Sequence, residues 1–336
     1  MPLRATLVRV SSRTRIRLIV GAVALAAAGV AVGATLMGRG DDAPEAAKPE
    51  QRGAPGLELS VVLRTDREAK GLRAAERAYD RGNRAAAKDQ FDALLTSDPE
   101  SVEAAVGAAI SGWPEQTLFR LRQLAAEFPK SALVHLHLGL ALYASGDDTA
   151  AAAEWRNALE VEPDTPSALR AEDLLHPDMA PGRPFFYPSF APTLDLAKDS
   201  PAAQLTALRR QAMRGGVRDN LLYGVALQRI GRPVSARVAF ARALELDGMS
   251  LDARVADAVG RFEKDAPAEA FSRLGPLAQA NPRSPLVRFH LGLLLLWIRD
   301  VENARTQLQK AADADRHGFY GREARVLLSR LEVSGT

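Results

Sequence analysis

Residues 133–163 of the chain read LVHLHLGLALYASGDDTAAAAEWRNALEVEP. Apolar side chains recur every three or four residues on both sides of Gly146, which is the pattern of two amphipathic helices joined by a tight turn. Residues 287–315, VRFHLGLLLLWIRDVENARTQLQKAADAD, repeat this pattern. The sequence therefore predicts a helical hairpin that is used more than once.

The register of the repeat is set by small and large residues at fixed positions. Residues 132–165 resemble the tetratricopeptide repeat (TPR), a helical hairpin of about 34 residues. In this unit small residues stand where the two helices cross, and large residues stand where the hairpin meets its neighbour. The matching residues are Leu138, Gly139, Leu142, Gly146, Ala151, Trp155, Ala158 and Pro163.

The same register recurs along the chain. It predicts units at residues 68–101, 132–165, 217–250, 251–284 and 285–318, with a shortened unit at 102–131. Because residues 101–110 align with residues 250–259, the chain is predicted to hold two related blocks. The resemblance implies an all-α, TPR-like α-solenoid of about six helical hairpins. Block 1 is expected at residues 67–176, and block 2, which ends in a capping helix, at residues 200–336.

The N-terminal region predicts a single transmembrane helix. Residues 18–37 are uncharged and almost wholly apolar, and about 20 helical residues span the ~30 Å of a bilayer core. Five arginines precede this run, which predicts a basic cytoplasmic tail at residues 1–17 and places the rest of the chain outside the cytoplasm. The alternative is a signal peptide that is cleaved near residues 32–34, after which the protein is secreted. Gly29 and Gly33 have the spacing that lets two membrane helices self-associate.

Two further segments lack helical periodicity. Residues 38–66 are rich in proline and glycine at their start and predict a flexible tether. Residues 177–199 contain RPFFYPSFAP at 183–192, whose prolines exclude a regular helix and whose rings are too apolar for a solvated linker. Three interpretations are open for this linker. It packs along the solenoid and joins the blocks, it occupies its own groove as a ligand mimic, or it is exposed to a partner.

The resemblance also implies which side chains face the concave groove lined by the first helix of each hairpin. In the third, fourth and sixth units these are Leu136, Leu140, Tyr143, Arg218, Val225, Arg229, Phe289, Leu293 and Trp297. Their apolar character indicates a hydrophobic peptide or helix as the partner, and the Lys and Asn pattern that captures acidic C-terminal peptides is missing. The alternative is that the leucines belong to the core, which leaves Tyr143 and Trp297 as the contact candidates.

Composition excludes several classes of function. The net charge is +3, but residues 1–40 hold six arginines and no acid, so the remainder is slightly acidic and no nucleic-acid partner is predicted. The absence of cysteine excludes disulfides and thiolate chemistry. His135 and His137 point to different faces of one helix, and His290 aligns with His137, which indicates inherited packing. No catalytic motif is present, so no enzyme activity, cofactor or metal site is predicted.

These features together predict a non-catalytic TPR scaffold that is anchored in the cell membrane and binds protein or peptide partners outside the cytoplasm. The architecture is similar to that of the membrane-anchored TPR subunits of bacterial cytochrome c maturation, which hold unfolded apoprotein. The alternative is a structural component of the cell envelope that associates with copies of itself.

Overall fold

The computed structural model describes residues 53–59, 61, 63–190 and 200–333 of the chain. Within these ranges the chain forms fifteen α-helices and no β-strand. All six predicted hairpins are present. The predicted all-α, TPR-like solenoid is therefore confirmed.

The helices divide into the two predicted blocks. Block 1 consists of α1 (Arg67–Asp80), α2 (Arg84–Ser97), α3 (Val102–Ser111), α4 (Thr117–Glu127), α5 (Ala132–Ala144), α6 (Asp148–Val161) and α7 (Pro166–Leu175). Block 2 consists of α8 (Pro201–Arg214), α9 (Val217–Arg229), α10 (Pro233–Leu246), α11 (Leu251–Gly260), α12 (Ala268–Ala280), α13 (Pro285–Trp297), α14 (Val301–Ala314) and α15 (Phe319–Val333). In block 1 three hairpins are followed by α7, and in block 2 three hairpins are flanked by α8 and α15.

Hydroxyl side chains fix the start of many of these helices. In six of them the residue before the helix accepts a hydrogen bond from the backbone N–H three residues further on. These residues are Ser101, Ser131, Thr165, Ser200, Ser250 and Ser284. Each cap satisfies one of the N–H groups that a helix leaves without a partner in its first turn. Five of the six lie before α3, α5, α7, α11 and α13, which contribute to the grooves described below.

Glycine allows the two helices of a hairpin to approach closely. A Cβ atom on Gly139 of α5 would lie 2.4 Å from Nε1 of Trp155 on α6, and one on Gly224 of α9 would lie 2.3 Å from Cε1 of Phe240 on α10. Any larger residue would push the helices apart. The turn of the α5–α6 hairpin contains Gly146 at φ 91°, a left-handed conformation that glycine adopts without strain.

Each block has its own apolar core, formed where successive helices nest against each other. The largest fully buried side chains of block 1 are Leu72, Phe91, Ile110, Leu121 and Leu136. Those of block 2 include Leu221, Leu227, Phe240, Phe262 and Phe289. The predicted neighbour-to-neighbour packing is therefore present from α1 to α15, within each block.

The blocks meet at a cluster of buried charges where α7 contacts the loop between α11 and α12. The ammonium group of Lys264 is fully buried and lies 2.6 Å from Oδ1 of Asp173. Glu172 accepts two hydrogen bonds from the guanidinium group of Arg183, at 2.9 and 3.0 Å, and one from the backbone N–H of Lys264. Burial raises the pKa of Asp173, and the charge of Lys264 opposes this rise.

The predicted membrane anchor lies outside the described residues. Residues 1–17, the span at residues 18–37, and Gly29 and Gly33 all fall in this part of the chain. Among the helices that the structure does describe, none combines the length and the apolar character needed to cross a bilayer.

The last part of the predicted tether differs from the expectation. Residues 38–66 were expected to be flexible throughout, but Leu57, Leu59 and Val61 are buried in the core of block 1. This burial fixes the segment on the first block, so residues 53–66 do not behave as a solvated tether. Residues 38–52 lie outside the described part of the chain.

Candidate functional site in two self-occupied grooves

Block 1 holds an extended segment of its own chain. We call residues 55–61 the first segment; it runs across α1, α5 and α7. The side chains of Leu57, Leu59 and Val61 are buried, whereas Glu58 is exposed. This alternation is typical of an extended backbone with one buried face. The first segment therefore occupies a groove that the first helices of the hairpins line.

Hydrogen bonds to the backbone hold the first segment in place. The N–H of Glu58 donates to Nε2 of His137 at 3.1 Å, and the N–H of Leu59 donates to Oε1 of Glu76 at 2.8 Å. The hydroxyl of Tyr79 donates to the carbonyl oxygen of Pro55. At the exposed side of the segment, Arg170 of α7 forms an ion pair with Glu58.

Block 2 holds a second extended segment in the same manner. We call residues 182–190 the second segment; it is part of the linker between the blocks. The N–H of Tyr187 donates to Nε2 of His290 at 2.9 Å, and the N–H of Phe186 donates to Oε1 of Gln228 at 3.0 Å. The hydroxyl of Tyr320 donates to the carbonyl oxygen of Tyr187 at 2.9 Å. These contacts come from α9, α13 and α15.

The two segments run in the same direction relative to the helices that bind them. Pro55 lies at Tyr79 near the end of α1, and Val61 accepts a hydrogen bond from Arg73 nearer its start. In block 2, Gly182 lies at Trp297 at the end of α13, and Ser189 bonds to Asp252 at the start of α11. Both segments are thus antiparallel to the helices that line their grooves.

His137 and His290 are chemically equivalent. Each Nδ1 lies within hydrogen-bond distance of the carbonyl oxygen four residues earlier on its helix, 2.8 Å for Leu133 and 2.7 Å for Leu286. Because a carbonyl oxygen can only accept, Nδ1 carries the proton and Nε2 is left as an acceptor. Both rings are fully buried, and this burial lowers the pKa of each to about 4. The neutral imidazole is the form that accepts a backbone N–H.

Aromatic rings surround the bound backbone in block 2. Phe186 is 1% exposed, and its ring lies 5.6 Å from that of Phe240 and is stacked 5.3 Å from His290. The ring of Tyr187 packs against those of Phe289 and Phe319, with both centroid distances 5.8 Å. The residue before the hydrogen-bonded N–H is therefore buried in both grooves, as Phe186 in block 2 and as Leu57 in block 1.

The structure distributes the predicted groove residues over two separate grooves. Leu136, Leu140, Phe289 and Leu293 are buried, and Val225 is half-buried against the core of block 2. The predicted alternative that the leucines are core residues thus agrees with their burial. These side chains form the floor beneath the segments.

The remaining predicted residues lie nearer to solvent. Nε1 of Trp297 donates to the carbonyl oxygen of Gly182 at 2.9 Å, and the guanidinium group of Arg218 lies 4.6 Å from the ring centre of Phe190. Arg229 is exposed. Tyr143 is 42% exposed, and its ring lies 5.9 Å from that of Trp155. Contact of these residues with a partner stays a prediction.

Sequence reasoning missed the residues that read the backbone, namely Glu76, His137, Gln228, His290 and Tyr320. One signal was available, because the two histidines occupy the same position in aligned units. The interpretation of the linker is also resolved in part. The second segment both joins the blocks through Arg183 and fills the groove of block 2.

A cavity of about 400 Å³ opens where the groove of block 1 meets block 2. Its apolar lining includes Leu63, Val102, Leu133, Leu205 and Ile230. The charged groups at its rim are paired with each other, as in the 3.1 Å contact between Arg232 and Asp164. The cavity can therefore accept an apolar side chain without leaving a charge unpaired.

Metal chemistry finds no support in the described ranges. In residues 53–59, 61, 63–190 and 200–333 no group of three or more His, Asp or Glu side chains is placed to hold a metal ion. His135 is engaged with Glu154 through Nδ1 at 2.6 Å, and this contact raises its pKa.

Comparison with known proteins supports the repeat assignment in block 1. The sequence model of the tetratricopeptide repeat matches residues 72–115 and 120–171. These residues span α2 to α6 and part of α1 and α7. The TPR fold generally serves as a non-catalytic scaffold for protein interactions. No curated protein matches the sequence.

Several solved structures share the helical repeat arrangement at low identity. Human IFIT1, crystallised as a dimer with m7Gppp-AAAA, is 18% identical over 80% of this chain and 65% of its own, with a TM-score of 0.33. Pseudomonas aeruginosa pilF is 14% identical over 77% of this chain and 96% of its own, with a TM-score of 0.28. Yeast Tom70 is 14% identical over 84% and 67%, with a TM-score of 0.31. This chain spans less than two thirds of the IFIT1 chain, and similarities at this level do not indicate what it binds.

Proposed function

We propose that the protein is a non-catalytic scaffold that binds protein partners outside the cytoplasm and is anchored in the membrane by residues 18–37. The observation that carries this proposal is that both grooves already bind extended polypeptide, through the imidazoles of His137 and His290. A surface that satisfies backbone N–H groups and buries apolar side chains suits a peptide ligand.

The chemistry of the grooves favours an extended apolar partner over an acidic one. The acceptors for backbone N–H groups include the carboxylates of Glu76 in block 1 and Asp252 in block 2. These negative charges would repel a peptide that ends in a free carboxylate. Buried Leu57 and Phe186 show the size of side chain that the floor of each groove accommodates.

The anchor and the first groove are close along the chain. If residues 18–37 span the membrane, residues 38–52 separate the span from the first segment, and about 15 residues reach at most ~50 Å when fully extended. The groove of block 1 would then stay near the membrane surface, where it could collect partners that are themselves in or near the bilayer.

Photo-crosslinking in intact cells tests this function. A photoreactive residue at Tyr143, at the end of α5, is compared with one at Val238, which is 65% exposed on α10, the second helix of its hairpin. We expect crosslinked partner proteins at Tyr143 in several-fold excess over Val238. Equal yields at both positions contradict a groove that binds partners. A product made only of two copies of this chain supports the self-associating envelope component instead.

The proposed topology has its own test. A phosphatase reporter that is active only outside the cytoplasm is fused after Thr336. An active reporter in the membrane fraction agrees with the anchored, extracytoplasmic arrangement. Activity in the soluble periplasmic or secreted fraction indicates cleavage near residues 32–34, and an inactive reporter contradicts the orientation.

A further inference from the structure

We propose that the first segment is an exchangeable ligand, and that a partner's extended apolar segment replaces residues 55–61 with its own N–H hydrogen-bonded to His137. The inference rests on the proposed function and names the ligand class of the same groove. It assigns His137 as the residue that reads the partner's main chain.

The comparison of the two grooves shows that recognition depends on the main chain. The segments differ in sequence, GLEL at residues 56–59 and FFYP at residues 185–188, yet the same nitrogen of an equivalent histidine accepts an N–H from each. Leucine and phenylalanine are both accepted at the buried position that precedes this N–H. A site that tolerates this change selects an extended backbone with an apolar side chain at one position, which a partner can also supply.

The first segment is better placed for exchange than the second. The second segment is tied into the junction between the blocks, because Arg183 bonds to buried Glu172 and the N–H of Gly182 donates to Asp173. The first segment has no such link to block 2, and its contacts come from α1, α5 and α7 of block 1. The cavity beside Leu63 and Leu133 continues the groove beyond the segment and gives a longer partner additional room.

The test uses the full chain in detergent micelles and a labelled peptide of residues 53–63, GAPGLELSVVL. In the wild-type chain the first segment competes at the high effective concentration of an intramolecular ligand. Replacing Leu57→Ser and Leu59→Ser in the chain weakens this competitor. We expect the peptide to bind the substituted chain at least tenfold more tightly than wild type, as measured by fluorescence anisotropy. A substituted chain that keeps its helical circular dichroism and does not bind the peptide overturns the inference.

A double-mutant cycle tests the role of His137. Methylation of the Glu58 nitrogen in the peptide removes the N–H that His137 accepts, and we expect it to weaken binding to the substituted chain at least tenfold. When His137→Phe is added to that chain, the methyl group should change affinity less than twofold. The matched variant His290→Phe lies in the other groove and should leave the methyl effect intact. A methyl effect that persists without His137 contradicts its assignment.

Two further measurements keep the outcome decisive. If the serine substitutions reduce helicity, Leu57→Ala and Leu59→Ala provide a milder release of the segment, and the same tenfold gain is required. Exchange of segments between two copies would appear as a dimer in light scattering and would overturn exchange with a partner. Peptide binding without crosslinks at Tyr143 refutes the scaffold function in cells but leaves the ligand class of the groove established.

Discussion

The buried histidines make the stability of the protein depend on pH in the acid range. Burial lowers the pKa of His137 and of His290 from 6.5 to about 4 in the folded state. The unfolded chain therefore takes up these protons at a higher pH than the folded chain does. Stability is fully present above pH ~6.5 and is lost progressively as the pH falls towards ~4.

The size of this effect follows from the pKa shifts. Because one pKa unit corresponds to about 1.4 kcal/mol, each histidine should remove about 3 kcal/mol of stability between neutral pH and pH 4. Two independent groups give about 6 kcal/mol, which is a large part of the stability of an ordinary domain. The backbone N–H groups of Glu58 and Tyr187 lose their acceptors when the rings become protonated, so both segments should loosen in the same pH range.

Urea unfolding at several pH values between 7 and 4 provides the assay, with the free energy of unfolding extrapolated to water. His137→Phe and His290→Phe should each flatten the pH dependence by about 3 kcal/mol. His317→Phe is the matched control, because His317 is exposed, and it should leave the dependence unchanged. His135 responds in the opposite direction, since Glu154 raises its pKa, but it is present in all variants and cancels in the comparison. If the two groove variants keep the wild-type pH dependence, the neutral-imidazole explanation is wrong.

Two further predictions concern packing and the junction. Gly139→Ala should destabilise the chain by about 2 kcal/mol, because the new methyl group meets the ring of Trp155, whereas Gly292→Ala should be nearly neutral, because flexible leucine methyls lie nearest. Thermal unfolding of the two variants side by side checks this difference. Lys264→Met should cost about 3 kcal/mol in urea unfolding at pH 7, because Asp173 is left buried without its cation, and the cost should shrink at low pH as Asp173 is protonated. A cost that does not depend on pH would contradict this explanation.

The hairpins could be predicted because their contacts are written locally in the sequence. Gly139 and Trp155 lie 16 positions apart, and their sizes directly determine how closely α5 and α6 approach. The same holds for Gly224 and Phe240 in α9 and α10. A register that repeats small and large residues at fixed spacing therefore predicts both the helices and their packing.

The site was harder to predict because its partners are far apart along the chain. The N–H that His137 accepts comes from a residue 79 positions away, and the one that His290 accepts comes from 103 positions away. No periodic pattern connects such positions. The first segment did carry a short alternation of Leu57, Leu59 and Val61, which is the signal of a half-buried extended strand. Its neighbouring prolines and glycines favoured a tether instead.

The two grooves use the same recognition chemistry but differ in what release of their segment would cost. In block 2 the second segment begins at the junction, where Glu172, Asp173, Arg183 and Lys264 form a buried charge cluster from three separate stretches of chain. Removing one member leaves the others buried without a counter-charge, which is strongly unfavourable. Filling of the second groove is therefore coupled to the docking of the blocks. The first segment carries no such coupling, so evolution of a partner site in block 1 would leave the architecture intact, whereas the equivalent site in block 2 is committed to holding the two blocks together.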